Sequence, residues 1–166
     1  MDGFTKAEIL VVVIILGLLS IVPAINFKNA QAGVRDSRRK ADLRQIYNAL
    51  EVYSKENNAY PLSKKGMILS CVCGSDPPEV CAWGKKSGGP REFCDQNNVV
   101  YLKELLSDPT GLIPFCYFSD GKLFRLYAKL EVVSDFEAFP DKVTKKCNGI
   151  DYNFGYSSPN TSPMIE

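Results

Sequence analysis

At 166 residues the chain suits one domain with an appendage, and its 20 basic and 19 acidic side chains nearly cancel, which gives no basis for a nucleic-acid surface. It has no histidine, so Ser-His and Cys-His nucleophilic pairs, His metal sites and the usual general base near neutral pH are missing. Six cysteines, all beyond residue 70, read as a disulfide framework in an exported chain.

The first element in chain order is a run without charged side chains from Ile9 to Phe27. It is close to the roughly 20 apolar residues that a membrane-spanning helix needs. A cleaved signal peptide needs a basic start and a small-x-small site after the apolar core. Here Met1-Asp2-Gly3 carries no Lys or Arg, and no such site follows. A plain signal anchor is one reading, and Glu8 is what it handles badly. An acid near the bilayer core costs about 2.5–3.5 kcal/mol and usually has a partner. Lys6 lies two residues away, on the wrong helix face. A cut between Gly3 and Phe4 would create an α-amino group about one helical turn from Glu8. In an assembly, that amine on one subunit would meet the carboxylate of its neighbour.

The residues G-F-T-K-A-E, followed by I-L-V-V-V-I-I-L-G-L-L-S-I-V-P, resemble the class III signal segment of type IV pilins and type II secretion pseudopilins. The resemblance is strong over residues 3–27 and continues more weakly to Pro61. It implies a leader of residues 1–3, cleaved after Gly3 by prepilin peptidase, a membrane aspartyl enzyme, and a hydrophobic transmembrane and filament-core helix over residues 4–27. It further implies N-methylation of Phe4 and a role for Glu8 in filament assembly. Two features depart from the family. The leader is not basic, and Pro23 stands slightly earlier than the family's helix proline. Proline removes one i→i−4 bond and Gly17 adds a second weak point, so a kink or stretch is expected there.

Residues 28–58 continue the helix. Lys28, Arg35, Arg38, Arg39 and Lys40 face a single acid, Asp36, within residues 28–40. This run reads either as a contact for anionic lipid or a neighbour's acidic face, or as a solvated stretch that helps set topology. Leu43, Ile46, Leu50 and Tyr53, with Tyr47, then recur at three- and four-residue spacing and form one apolar face. Asn57-Asn58 and Pro61 mark the helix end.

Residues 59–166 form the expected globular head. Its segment 62–98 holds Cys71, Cys73, Cys81 and Cys94 and reads as a long irregular loop. The spacing lacks the paired C-x-x-C of zinc sites, so disulfides are preferred to a metal knuckle. Cys71 and Cys73 are too close in sequence to pair easily, and Cys116 with Cys147 is the preferred later pair. Trp83 is the aromatic most suited to an exposed contact. A short helix is expected near Val100–Leu106. Strands follow over Leu112–Phe118, Leu123–Val132 and Ile150–Tyr156, the first two joined by an Asp-Gly turn at Asp120-Gly121. Phe124, Leu126, Ala128 and Leu130 alternate with Arg125, Tyr127, Lys129 and Glu131. Asp135, Glu137, Asp141 and Asp151 match no calcium loop and read as solvated acids. The tail after Ser157 is polar.

The expected fold is α+β and type IV pilin-like. A long N-terminal α-helix packs its C-terminal half on a small antiparallel sheet at about residues 112–156, with a Cys-rich loop between. The leading functional expectation is a structural subunit of a type IV pilus-like extracellular filament, with no enzymatic activity and no cofactor. Its implied partners are copies of itself in a helical filament, prepilin peptidase, the inner-membrane assembly machinery, and membrane lipid before assembly. It would be a single-pass inner-membrane precursor and then an extracellular filament. The alternatives are a pseudopilin of a type II secretion or DNA-uptake machine, and a signal-anchored extracytoplasmic binding domain.

Overall fold

A computed structural model describes residues 5–71, 73–74, 77–84, 89–132, 134–140 and 144–164, without the side chains of residues 19–29. Its dominant element is helix α1, Lys6–Asn57, 52 residues long. Thr5 caps its start with extended backbone angles. Gly17 and Pro23 do not end it. The stop is Asn58, which takes the left-handed conformation at φ 56° that asparagine tolerates better than most residues. The basic Lys55 lies in the last turn, where it meets the negative end of the helix dipole.

Ten strands follow among the described residues. They are β1 (Ser63–Lys64), β2 (Met67–Cys71), β3 (Glu79–Val80), β4 (Phe93–Cys94), β5 (Val100–Leu102), β6 (Cys116–Ser119), β7 (Phe124–Ala128), β8 (Lys145–Cys147), β9 (Ile150–Tyr152) and β10 (Phe154–Ser157). An antiparallel sheet in the order β10-β7-β6 lies on the second half of α1. A second sheet runs β1-β2-β4-β5, with β3 also on β2, and its β5 touches α1. β8 and β9 form a separate hairpin.

The core is where the alternating pattern meets the helical one. Leu43, Ile46 and Leu50 are fully buried against Phe124, Leu126 and Ala128. Tyr47 and Tyr60 close on Phe124 with ring centroids 5.6 and 4.8 Å away. Each such side chain contributes about 1.5–3 kcal/mol by leaving water. The other face of β7 is not left to solvent, since Tyr127 packs with Cys116 and Tyr152 in a second cluster.

Several elements differ from the sequence expectation. The first head strand starts at Cys116 rather than Leu112; Pro114 cannot donate to a ladder, and Leu112 is 83% exposed. The next strand is trimmed to Phe124–Ala128. The segment 150–156 divides at Asn153, whose side chain accepts from Leu130 N at 2.7 Å and donates to Leu130 O at 3.2 Å. That amide stands in for a ladder residue, so β9 turns to β8 while β10 stays on β7. Val100–Leu102 is an edge strand on β4, not a helix, as its Val-Tyr composition favours. The segment 62–98 contains β1 to β4 and is therefore not a bare loop.

Three disulfides tie these pieces. Cys71 joins Cys81, Cys73 joins Cys94 and Cys116 joins Cys147, with Cα separations of 5.1, 5.3 and 6.3 Å. Cys71 and Cys73, two positions apart, thus reach different partners, and the first two bridges hold the short strands of the second sheet together.

Candidate assembly surface and its anchor

The N-terminal part of α1 is an apolar rod open to its surroundings. Every large side chain from Ile9 to Leu16, and Leu18, is 49–62% exposed. Among the residues whose side chains are described, no helix is long and apolar enough to cross a membrane. The expected segment 4–27 runs on into residues 19–27, whose side chains lie outside the description. Gly3 and Phe4, the expected cut site, also lie outside it. A side chain at Gly17 would meet nothing within 4 Å, so the glycine answers no crowding within the chain.

Glu8 does more here than its sequence position suggested. Thr5 N and Thr5 Oγ1 donate to Glu8 Oε2 at 2.8 and 2.9 Å, and Glu8 N donates to Thr5 Oγ1 at 3.3 Å. This is a reciprocal capping box that satisfies orphan donors of the first turn.

The head grips α1 through a polar knot. Asp36 and Arg39 are only 1% and 3% exposed, although both stand in a run whose sequence suggests a solvent- or lipid-facing surface. Arg39 donates through Nη1 to Asp36 and Glu131, both at 2.6 Å, and through Nε to Asp108. Arg35 donates through Nε to Glu131 at 2.8 Å. Asp36 in turn accepts Val132 N at 2.8 Å and Glu131 N at 3.0 Å. Asp108 accepts Thr110 N at 2.9 Å and Gly111 N at 3.1 Å. Three carboxylates thus surround two guanidinium groups, and nearly every buried lone pair has a donor.

The charges respond accordingly. The Arg35 hydrogen bond, opposed by burial and reinforced by Arg39, holds the Glu131 carboxyl at about 2. Burial works to raise Asp108, but its bonds from Arg39 and Thr110 outweigh that and keep it below the usual range. Lys40 is held separately, by Asp135 and Glu137, each at 2.6 Å. Neither expected role of the basic run therefore applies to Arg35, Arg39 and Lys40, which bind acids of their own head. Arg38 remains an outward group, with Asp42 3.8 Å away.

Sequence reasoning missed Asp108 and Glu131. Asp108 stands before a proline, a turn signal, but nothing local announces an arginine 69 residues earlier. Of the acids weighed for calcium, Asp135 and Glu137 hold Lys40, Asp151 accepts from Thr144 Oγ1 at 3.5 Å, and Asp141 lies outside the described residues. Trp83 is 5% exposed, not an outward contact; its Nε1 donates to Gly66 O at 3.1 Å and its ring meets Phe115 edge-on. The anchor presents no nucleophile paired with a base. Its geometry suits a mechanical task, fixing the helix to loops after β5 and β7.

Comparison with known proteins gives a consistent set of relatives. The chain is 34% identical over 131 residues to the type II secretion system core protein G of Pseudomonas aeruginosa, covering 76% of this chain and 81% of that one. It is 28% identical over 133 residues to the protein of the same name from Aeromonas hydrophila, with 80% of each chain covered. The Vibrio cholerae protein of that name is 28% identical over 119 residues, 72% of this chain and 71% of its own. No family model and no solved structure matches.

Proposed function

Because the chain belongs to the type II secretion system core protein G family, the pseudopilins, we propose that it is a structural subunit, not an enzyme, of a short periplasmic filament in a type II secretion machine. This reading replaces the extracellular pilus as the leading one, since the relatives are secretion proteins. Pilin and pseudopilin share the wider family, which is what the N-terminal residues alone resembled.

The observation that carries the proposal is the exposed apolar rod from Ile9 to Leu18 on a helix whose other half is clamped into a disulfide-bonded head. Such a rod requires an apolar surrounding. In the precursor that surrounding is the inner membrane, and in the filament it is the same helix of neighbouring copies. Cleavage after Gly3 leaves Thr5 and Glu8 in place, so the helix cap survives maturation. It also frees the amine of Phe4, which is the proposed partner of a neighbour's Glu8.

Intact mass of the protein purified from a secretion-competent host tests this. The expected mature chain starts at Phe4 and carries one methyl group, whereas Gly3→Ala yields only the longer precursor. A mature chain starting at Phe4 in the Gly3→Ala variant refutes the cut site. Shearing of cells at natural expression separates the remaining readings. Abundant extracellular filaments refute the secretion assignment, and an uncut, unpolymerised chain refutes assembly altogether.

A further inference from the structure

Among the described residues the head carries two charge patches of opposite sign that form no ion pairs within the chain. The β1–β2 turn has Lys65 and Gly66 at φ +52° and +73°, and the β8–β9 turn has Asn148 and Gly149 at +51° and +79°. Both are two-residue hairpin turns with left-handed central residues, which match the twist of the strands. The turns abut. Asn148 Nδ2 donates to Lys65 O at 2.6 Å, and a Cβ on Gly66 would lie 2.6 Å from both Asn148 Nδ2 and Cys116 Sγ. The Cys116–Cys147 bridge fastens the second turn to the main sheet beside the first. Lys64, Lys65, Lys145 and Lys146 are thereby gathered, and three of the four are exposed. Asp151 lies across the ladder from Lys146, which leaves a net charge of three among these described residues. None of these lysines has an ion pair among the described residues. Lysine is uncommon at a left-handed turn position, where Asn or Gly is usual, so the β1–β2 turn gives up backbone ease for an outward charge.

At the other end of β2 the sign reverses. Cys71 pairs with Glu79 on β3 and with Phe93 on β4, and Glu92 directly precedes Phe93. Glu79 and Glu92 are exposed and form no ion pair among the described residues, while the adjacent Arg91 is taken by Glu104 at 3.4 Å. Cys71–Cys81 and Cys73–Cys94 hold this end rigid. From Met67 to Cys71 is four residue steps, about 13 Å along the strand.

We propose that these two patches meet between successive copies of the chain, the lysine turns of one head against Glu79 and Glu92 of the next. The inference rests on the filament reading above and adds the head contact that sets register. A contact between two different patches is heterologous. It propagates as a helix when the rotation does not close, whereas two copies of one patch would repel. Charge pairs at such a rim fix orientation and partner choice more than they add affinity.

Charge reversal with rescue tests it in cells that make the full chain and its secretion machinery. The variants are Lys64→Glu/Lys65→Glu, Glu79→Lys/Glu92→Lys, and all four together. Multimers are trapped with a carbodiimide, which joins a lysine amine to a carboxylate with loss of water and no spacer, and bands are digested for mass spectrometry. Each reversed pair is expected to lower the multimer ladder by about tenfold or more, equivalent to about 1.4 kcal/mol. The fourfold swap is expected to restore it to within about threefold, at about 0.65 kcal/mol. Dimer bands of the wild type should yield peptides joining the two patches. Non-reducing intact mass confirms that every variant keeps its three bridges, so lost folding is not read as lost assembly. Unchanged ladders in either reversed pair overturn the proposal, as does a folded fourfold variant that stays monomeric. A wild-type ladder whose junctions all lie elsewhere overturns it while leaving the filament reading intact. A wild-type chain that never forms multimers overturns the filament reading itself.

Discussion

Replacing Arg39 by methionine removes the centre of the helix–head knot and keeps most of the side-chain volume. Arg39 bonds Asp36, Asp108 and Glu131, and the first two carboxylates are 1% and 5% exposed. Breaking a buried ion pair from one side costs about 3–5 kcal/mol, because the partner charge stays buried without compensation. Here the lower end applies, since Asp36 keeps the Glu131 and Val132 amides and Asp108 keeps those of Thr110 and Gly111. About 3 kcal/mol is a factor of about a hundred in the folding constant. For a chain of this size that is a fall of about 6–12 °C in Tm. The assay is thermal unfolding of the full chain in detergent, followed by near-ultraviolet circular dichroism of Trp83, which is buried edge-on to Phe115. Arg39→Lys keeps the charge but loses the planar fork, so it should fall between the two. An Arg39→Met protein melting within about 2 °C of wild type, less than about 1 kcal/mol, refutes the idea that the knot anchors the helix.

Acid should loosen the same anchor. The folded chain holds Glu131 at about 2 against an ordinary 4.5, and Asp108 and Asp135 are also depressed. A depressed carboxylate stabilises above its unfolded pKa and loses that contribution as pH falls through the folded one. Tm should therefore drop from about pH 4.5 towards pH 2, less steeply in Glu131→Gln, with Asp42 opposing because burial raises it; a Tm unchanged down to pH 3 contradicts this. Glu8→Gln separates two roles, since glutamine still completes a capping box but cannot pair with an amine as an anion. It should insert and mature normally yet give few multimers, and normal multimer yield would leave Glu8 as a cap alone. Cys116→Ala/Cys147→Ala opens a bridge spanning 31 residues and should cost about 3–4 kcal/mol, read in the same melts, with two bridges left by intact mass; an unchanged Tm would mean that the bridge does not constrain the unfolded chain.

The parts of this molecule that a sequence reveals are those written in local chemistry. The apolar period of Leu43 to Tyr53, the Asn58 stop and the Asp-Gly turn each depend on residues a few positions apart, and each is where the pattern puts it. The basic run at residues 28–40 is different, because its meaning depends on partners 69, 92 and 95 residues away. A run of Arg and Lys beside a membrane segment reads the same whether it faces lipid, solvent or buried acids. The short strands hide for a related reason. Two-residue pieces such as β3 and β4 carry no period, and bridges between Cys71, Cys73, Cys81 and Cys94 hold them where propensity would not. The anchor also marks the change of character along α1. After the apolar run charged residues resume at Lys28, but among the described side chains burial begins at Asp36, and Val34, one turn before Arg38, is still 71% exposed. Hydrophobicity therefore does not decide where the free rod becomes a packed helix. That point is set by Asp36 and Arg39, a buried ion pair whose orientation is fixed by Asp108 and Glu131 from two separate loops. On the proposed function, a subunit that passes from lipid into an assembly without disturbing its head needs such a clamp at the junction of the two halves, and the polar knot lies at that junction.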